Sequence, residues 1–236
     1  MGRAFEFRKN AKLKRWGKMS RVFPKLGKAI TIAAKQGGGD PDMNAKLRTA
    51  IANAKAENMP KDNIDRAIKK ALGKDAVNFT EIIYEGKGPH GVQVVVECAT
   101  DNNTRTVANV KSYFNKTGGQ ILTSGSLDFM FDKKSVFIFP APDGKDLEEL
   151  ELELIDAGLE ELEEVEGEIT VLGGWDDFGA LDAALHDMGI EVTRAVRQRF
   201  ANQPQEFSEE QMADIEKLLD KLDEDEDVQE VFTNIA

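Results

Sequence analysis

The strongest constraint on the fold is a change in hydrophobic periodicity at Phe79. Before this residue, apolar side chains recur three and four positions apart, as on one face of a helix, and breaks containing Gly and Pro divide the segment. After it, short runs rich in Val, Ile and Phe alternate with Gly and Pro turns, which indicates strands. A helical N-terminal module followed by mixed helices and strands predicts an α+β fold.

The first predicted helix runs from Ser20, which can cap it, to about Gln36. At 100° per residue its apolar positions share one face, and a second stripe of basic residues points away from that face. The stripe comprises Arg21, Lys25, Lys28 and Lys35. A row of cations on a packed helix suits phosphate binding, although solvated basic stripes are also common.

Two further helices are predicted in the same module. Asp40 is expected to cap the second helix, with Pro41 at its first position and Met43 on its buried face. The third helix is expected from Lys61 to Leu72. Short connections between three helices predict a small bundle. The triple glycine before Asp40 lacks the GK[ST] ending and the preceding strand of a phosphate-binding loop.

The remainder of the chain predicts two α+β domains. Residues 134–200 show the order βαββαβ of a ferredoxin-like domain. The closing helix and strand are expected to return to the sheet that begins at Phe79. The predicted organisation is a basic arm and three-helix bundle over 1–75, an α+β domain of 76–133 with 201–236, and an inserted ferredoxin-like domain over 134–200.

Three local expectations within these domains depend on pattern alone. Residues 127–131 and 136–139 are predicted as separate strands, and Val107 is placed on the buried face of a helix that begins near Thr104. The carboxylate run 223–227 is expected to be a solvated face with weak attraction for a basic partner or Mg²⁺.

Charge is distributed unevenly along the chain. Residues 1–75 hold 19 Lys and Arg against 7 Asp and Glu, whereas residues 76–236 hold 12 against 36. Such asymmetry indicates a polyanionic partner for the basic module. The acidic remainder is largely screened a domain's width away, because the Debye length is about 8 Å at physiological salt. Mutual neutralisation of the two halves within one molecule is the alternative interpretation.

The N-terminal arm, residues 1–19, adds scattered aromatics to its cations and is predicted to be extended or partly disordered. Phe5, Phe7 and Trp16 are expected to pack on the helices, with base stacking as the alternative. The predicted nucleic-acid contacts are the basic residues of the arm and first helix: Arg3, Arg8, Lys9, Lys12, Lys14, Arg15, Lys18, Arg21, Lys25, Lys28 and Lys35.

The sequence does not indicate an enzyme, a metal site or a cofactor. His90 and His186 lack metal-ligand spacing and are expected to be solvated. Cys98, the single cysteine, is expected in a buried strand, and a Cys98–His90 pair remains open because such pairing is spatial. Without a membrane-length apolar stretch or a secretory signal, and with one cysteine, a cytoplasmic location is expected.

Arg105 is placed unusually for a cation. It falls in the first turn of a predicted helix, where the helix dipole disfavours positive charge. A salt bridge is the favoured explanation, and a phosphate contact is the alternative.

Several short motifs occur in a fixed order along the chain. They are Gly37-Gly38-Gly39-Asp40-Pro41, Asn58-Met59-Pro60-Lys61-Asp62-Asn63-Ile64, Tyr84-Glu85-Gly86 with Gly88-Pro89, Glu97-Cys98 with Thr100-Asp101-Asn102, Arg105-Thr106-Val107-Ala108, Gly125-Ser126 with Met130-Phe131, and Asp227-Val228-Gln229. Together they resemble the YebC/PmpR family over nearly the whole chain. The resemblance implies a helical N-terminal bundle and two α+β domains, one inserted in the other.

The resemblance also implies function. Family members are described as transcriptional regulators that bind DNA, mitochondrial relatives as translational activators of cytochrome c oxidase, and bacterial relatives are linked to ribosomes stalled on proline-rich stretches. We therefore expect a DNA-binding transcriptional regulator, with a translation factor that binds ribosomal RNA as the alternative. An enzyme and a scaffold that binds proteins through its acidic domains are further alternatives.

The start of the chain departs from the family pattern. Members usually open with a Gly-His-Ser-Lys-Trp-Ala-Asn type of segment, whereas residues 1–9 here keep the basic character without the His and the early Trp. The resemblance therefore supports the electrostatics of the arm more than its individual contacts.

Overall fold

The computed structural model of the chain describes Arg3 and residues 19–74, 76–142, 144 and 146–236. Within these residues the protein has an α+β fold, as predicted. The helices are α1 (Met19–Gly37), α2 (Ala45–Ala56), α3 (Lys61–Leu72), α4 (Asn103–Lys116), α5 (Leu147–Ile155), α6 (Phe178–Asp187) and α7 (Glu209–Glu224). The strands are β1 (Thr80–Lys87), β2 (Gln93–Thr100), β3 (Gln120–Ile121), β4 (Phe131–Pro140), β5 (Leu159–Val165), β6 (Glu168–Gly174), β7 (Arg194–Ala201) and β8 (Val228–Thr233).

The chain divides into two compact units. The first unit consists of the N-terminal helices, up to Lys74, and residues 133–198. The second unit consists of the segment between Lys74 and residue 133 together with residues 199–236. The three-domain boundaries expected from the sequence stay a prediction, and each unit is described by itself below.

The N-terminal helices form the predicted bundle. Helix α1 already includes Met19, so it begins before the expected cap at Ser20. The bundle core consists of small and branched apolar side chains: Ile30, Ala33, Ala34, Leu47, Ala54, Met59, Ile64 and Ala71. Helices α1 and α3 run in the same direction, because Thr31 Oγ1 lies 3.5 Å from the carbonyl oxygen of Ala67 and Gly39 packs against Leu72.

The predicted start of the second helix is wrong. Helix α2 begins at Ala45 with Asn44 as its N-cap, and Asn44 Oδ1 accepts a hydrogen bond from the Leu47 amide at 3.1 Å. Asn44 Nδ2 also donates to the carbonyl oxygens of Ala33 and Gly38, at 2.9 and 2.8 Å. These bonds hold the connection between α1 and α2 in a turn. Pro41 therefore lies in this turn and not at the first position of α2. Met43 is consequently 84% exposed rather than buried.

The second part of this unit has the ferredoxin-like topology. Its sheet has the strand order β5-β6-β4-β7, and β6 pairs antiparallel with both neighbours. Helices α5 and α6 pack on the sheet through Leu150, Leu154, Leu181 and Leu185. The bundle meets the edge strand β7 through Asn53, whose side-chain amide donates to the Ala195 carbonyl at 2.7 Å and accepts from the Ala195 amide at 2.9 Å. Arg48 on α2 pairs with Asp182 on α6 at 2.8 Å.

The second unit is built on the sheet β3-β1-β2-β8, whose strand pairs are antiparallel. The pairing of β8 with β2 confirms the predicted return of the closing strand. One face of the sheet packs on α4 and α7 through Val94, Val96, Phe114 and Leu218. The opposite face packs Val95 and Phe232 against Leu127 and Phe131.

Two local expectations in this unit are wrong. Residues 128–130 form a short 3₁₀ turn rather than a strand, and β4 then runs without a break through the predicted gap between strands. Val107 is 42% exposed, because the buried face of α4 is the one that carries Thr106, Val110 and Phe114.

Candidate nucleic-acid interface

The structure covers the predicted contact residues only in part. Six basic residues of the arm lie outside the described residues, and with them Phe5, Phe7 and Trp16; the six are Arg8, Lys9, Lys12, Lys14, Arg15 and Lys18. Arg3 is described as helical and half-buried. The expectations for the arm therefore stay predictions.

The predicted basic stripe on α1 is only partly a free surface. Arg21, Lys25 and Lys28 are half-buried and Lys35 is exposed, and all four already take part in polar, ionic or ring interactions. A row of cations that is already engaged is less available to phosphates than the helical periodicity indicated. The stripe on α1 is therefore not sufficient by itself to form the nucleic-acid interface.

A second group of cations lies on α3, and sequence reasoning missed it. Arg66, Lys69 and Lys70 are exposed neighbours at helical spacing, and Lys74 follows two residues after the helix. Arg66 Nη1 lies 3.3 Å from Asn63 Oδ1. Within the described part of the chain, the three lysines form no hydrogen bond or ion pair. We call these four residues the α3 cation cluster.

Other cations stand at the same end of the bundle. Since α1 and α3 run in parallel, Lys35 in the last turn of α1 lies at the end that carries the α3 cation cluster. Lys46, at the start of α2, reaches back to Gln36 with its Nζ 3.0 Å from Oε1. Lys69 and Lys70, in the last turn of α3, are stabilised by the negative end of the helix dipole. The result is a surface that can bind several phosphates at once.

Along α3 itself, the negative charge precedes the cluster, whereas the exposed Asp40 and Asp42 follow Gly39, which packs against Leu72 at the end of α3 that carries the cluster. Asp62 is in the first turn of the helix and Asp65 follows one turn later. No acidic residue occurs between Arg66 and Lys74. The spacing of Arg66, Lys69 and Lys70 in the sequence already indicated the cluster. The prediction was placed on the arm and α1 instead, because basic residues are densest there.

Arg105 is salt-bridged, as favoured from the sequence. Its Nη2 lies 2.7 Å from Asp227 Oδ2 and 2.8 Å from Asp101 Oδ1. The hydrogen bond to Asp227 and then that to Asp101 raise the pKa of the guanidinium. Asp227 also accepts from the hydroxyls of Thr100 and Thr106, at 3.1 and 2.9 Å. Arg105 is therefore committed to holding the closing strand rather than to a phosphate.

The prediction that the run 223–227 is solvated is wrong for two of its members. Asp225 and Asp227 are buried and face α4. Asp225 Oδ2 accepts from Asn109 Nδ2 at 3.1 Å and from the Tyr113 hydroxyl at 2.9 Å. Burial, and then the hydrogen bond to Asp225, raise the pKa of Tyr113 to about 12. These carboxylates are acceptors in a structural network.

The histidines and the cysteine do not form a reactive pair. His90 Nε2 lies 2.9 Å from Asp214 Oδ2, so His90 is hydrogen-bonded rather than simply solvated. Cys98 is buried in the sheet, five residues along β2 from Gln93, which is a separation of about 16 Å at 3.3 Å per residue. His186 is exposed and lines a cavity of about 650 Å³ beside Asp182.

Two features concern the described residues as a whole, namely metal-binding groups and helices of membrane-spanning length. They contain no group of three or more His, Cys, Asp or Glu side chains placed to hold a metal ion. No helix in the described ranges combines the length and apolarity needed to cross a membrane.

Comparison with known proteins decides the family. Residues 3–74 match the family described as "TACO1/YebC protein N-terminal domain", and residues 79–235 match "TACO1/YebC second and third domain". The chain belongs to the YebC family. The resemblance seen in its motifs is therefore confirmed.

Relatives of this YebC-family chain share its full length. A "Probable transcriptional regulatory protein" of Wolinella succinogenes is 67% identical over 237 residues and covers 100% of both chains. A protein of the same name from Sulfurimonas denitrificans is 62% identical, again over 100% of both. A "Conserved Hypothetical Protein" from Aquifex aeolicus, of known crystal structure, is 35% identical with a TM-score of 0.70, and the match covers 92% of this chain and 89% of that one. These names support a regulatory role for the family.

Proposed function

We propose that this protein is a non-enzymatic, cytoplasmic regulator of gene expression that binds nucleic acid through its N-terminal helical bundle. DNA is the proposed target and transcription the proposed process. The single observation that carries the proposal is the α3 cation cluster, four exposed cations at the end of the bundle where Lys35 also lies. The names of the relatives supply the regulatory context.

The chemistry of the cluster determines the kind of binding. Lysine and arginine side chains neutralise phosphates and position a protein on a duplex, but phosphate contacts carry no direct sequence information. Apart from Arg66, the exposed cations that the structure describes on the bundle are lysines, which bind phosphates as point charges. We therefore propose modest, salt-sensitive binding with little base readout. A translation factor on ribosomal RNA would use the same contacts, so RNA is the second candidate target.

The salt dependence of the affinity tests this proposal. Neutralisation of about four phosphates by the cluster predicts a slope of log affinity against log salt of about −3.6 on duplex DNA. Anisotropy of labelled duplex DNA and of a structured RNA, measured across a range of KCl concentrations, gives the slope for each. A slope near zero on both would contradict phosphate binding. A steep slope with much tighter RNA binding would favour the translational role.

A further inference from the structure

Helix α5 carries apolar side chains on the side that faces solvent. Its buried side is formed by Leu150 and Leu154, which pack in the core beneath the helix. At 100° per residue Leu152 points away from both, and it is 70% exposed. Ile155, three residues after Leu152, is 52% exposed. Residues three apart are neighbours on a helix surface, so these two side chains form one exposed apolar pair.

Carboxylates surround this apolar pair. Glu148 and Asp156 lie four residues before and after Leu152, and Glu149 lies three residues before it, so all three are its neighbours. They are exposed, and their carboxylates form no ion pair or hydrogen bond within the part of the chain that the structure describes. An apolar centre with a polar rim is the usual arrangement of a protein–protein interface. We call Glu148, Glu149, Leu152, Ile155 and Asp156 the α5 face.

The charge of the α5 face is not explained by the stability of the helix itself. Glu148 and Glu149 lie in the first turn, where the helix dipole favours anions, but Asp156 caps the other end, where the dipole favours cations. Helix α5 contains no Lys or Arg that would pair with its carboxylates at helical spacing. A cationic partner would therefore stabilise this face.

The charge of the wider segment determines the class of partner. Residues 146–193 contain 17 Asp and Glu and no Lys or Arg. Such a segment repels nucleic acids and anionic lipid surfaces. A two-fold contact of the face with the same face of a second copy would bring like charges together, which is also unfavourable. The complementary ligand is a basic protein segment with apolar side chains that cover Leu152 and Ile155.

The backbone of α5 favours a helix as this segment. Peptide groups within a helix are hydrogen-bonded to each other, so the middle of α5 offers no main-chain partners to an extended peptide. A partner helix has its own peptide groups satisfied, and it places apolar side chains at positions i, i+3 and i+4 on one face. We propose that the α5 face binds a basic amphipathic helix of a partner protein. This inference goes beyond the proposed function, because the contact involves no nucleic acid.

The size of α5 determines the expected strength of binding. Its nine residues span about 14 Å, so the contact is smaller than a standard protein–protein interface. Small interfaces are typical of transient complexes. Because the carboxylates of the rim are exposed, salt screens their attraction to the partner, and the affinity falls as the salt concentration rises.

The test uses the full chain and two labelled synthetic peptides of about 14 residues, which is about four helical turns. The first has leucines at positions i, i+3, i+4 and i+7 with lysines between them, and the second has alanines in place of the leucines at equal charge. By fluorescence anisotropy, the wild-type protein is expected to bind the leucine peptide roughly tenfold more tightly than the alanine peptide. Leu152→Ala is expected to remove most of this preference. Since Leu152 is exposed, circular dichroism should show an unchanged fold.

Neutralising the rim tests the electrostatic part of the proposal. A variant that combines Glu148→Gln, Glu149→Gln and Asp156→Asn is expected to bind both peptides roughly tenfold more weakly at low salt. The difference from the wild type should shrink as the salt concentration rises. Its affinity for duplex DNA should stay near that of the wild type, because the change does not touch the α3 cation cluster.

The matched control removes the same charge from other exposed carboxylates of the same unit, and it should change peptide binding little. It combines Glu164→Gln, Glu166→Gln and Glu168→Gln. An equal loss in the two triple variants would show that net charge alone governs binding and would overturn the proposal.

Two further results would also overturn the proposal. One is a wild-type protein that shows no preference for the leucine peptide, or a preference that Leu152→Ala leaves intact. The other is self-association in sedimentation velocity that Leu152→Ala abolishes, which would assign the α5 face to a second copy of the chain. A loss confined to the variants of the α5 face, with a monomeric wild type, supports the basic helix as its ligand.

Discussion

Reversing the charge of Lys69, Lys70 and Lys74 to Glu is expected to weaken duplex binding on the order of 100-fold at near-physiological salt, since three attractions to phosphate become three repulsions. The three side chains are exposed, and within the described residues they form no ion pair that the change would break. Because Lys69 and Lys70 lie in the last turn of α3, their reversal costs about 0.3–1 kcal/mol each through the helix dipole, which the fold should tolerate. Anisotropy of a labelled duplex measures the affinity, and circular dichroism checks the fold.

The matched control places the same change in charge elsewhere. Lys111, Lys116 and Lys221 are also exposed, and they belong to the second unit rather than to the bundle. Their reversal to Glu should reduce the affinity only slightly. An equal loss in both triple variants would show that net charge, and not the α3 cation cluster, governs binding. That result would contradict the proposed interface.

Asp227→Ala is expected to lower the free energy of unfolding of the second unit by about 3 kcal/mol, within the range for removing one partner of a buried pair. The side chain of Asp227 is 5% exposed and accepts hydrogen bonds from Arg105, Thr100 and Thr106. Its removal leaves two buried hydroxyls and the guanidinium without their shared acceptor. Urea unfolding followed by circular dichroism measures the change.

Asp101→Ala is the control for this prediction. Asp101 pairs with the same guanidinium, but its side chain is 44% exposed. Exposed ion pairs contribute little, so the unfolding midpoint should hardly move. If Asp227→Ala also left the midpoint unchanged, the buried network would not be what holds the closing strand to α4.

Periodicity and turn residues were sufficient to predict most of the elements. Short segments between turn residues indicated β5 and β6, and the βαββαβ order predicted the ferredoxin-like topology that the strand order shows. The spacing of Ser208 and Gln211 is typical of a capping box, and the structure shows both of its hydrogen bonds at the start of α7. These elements were predictable because each depends on residues that are close together in the sequence.

The errors arose where tertiary contacts override local preference. Asp40 and Pro41 form a good helix start, but Asn44 satisfies three backbone groups at once and moves the start of α2 to Ala45. A run of five carboxylates looks solvated in sequence, yet Asp225 and Asp227 find donors on α4, more than a hundred residues earlier in the chain. No local pattern shows such donors.

The candidate site was predictable as a charge imbalance but not as a surface. Composition pointed to the N-terminal module, and periodicity placed a basic stripe on α1. Which cations remain exposed depends on how the bundle packs, and packing left Lys69 and Lys70 exposed while Lys25 and Lys28 became half-buried. The exposure of Phe129 was not predictable, because in a strand over 127–131 it would share a face with the buried Leu127 and Phe131, and only the 3₁₀ turn directs it outward.

Crosslinking in growing cells, followed by sequencing of the attached DNA and RNA in parallel, tests the central claim most directly. The wild-type protein is expected to recover nucleic acid well above background, and the Lys69, Lys70 and Lys74 reversal is expected to lose that recovery at equal protein abundance. Enrichment of promoter DNA would identify a transcriptional regulator, and enrichment of ribosomal RNA a translation factor. Recovery that is at background for the wild type, or unchanged by the reversal, would contradict binding through the bundle.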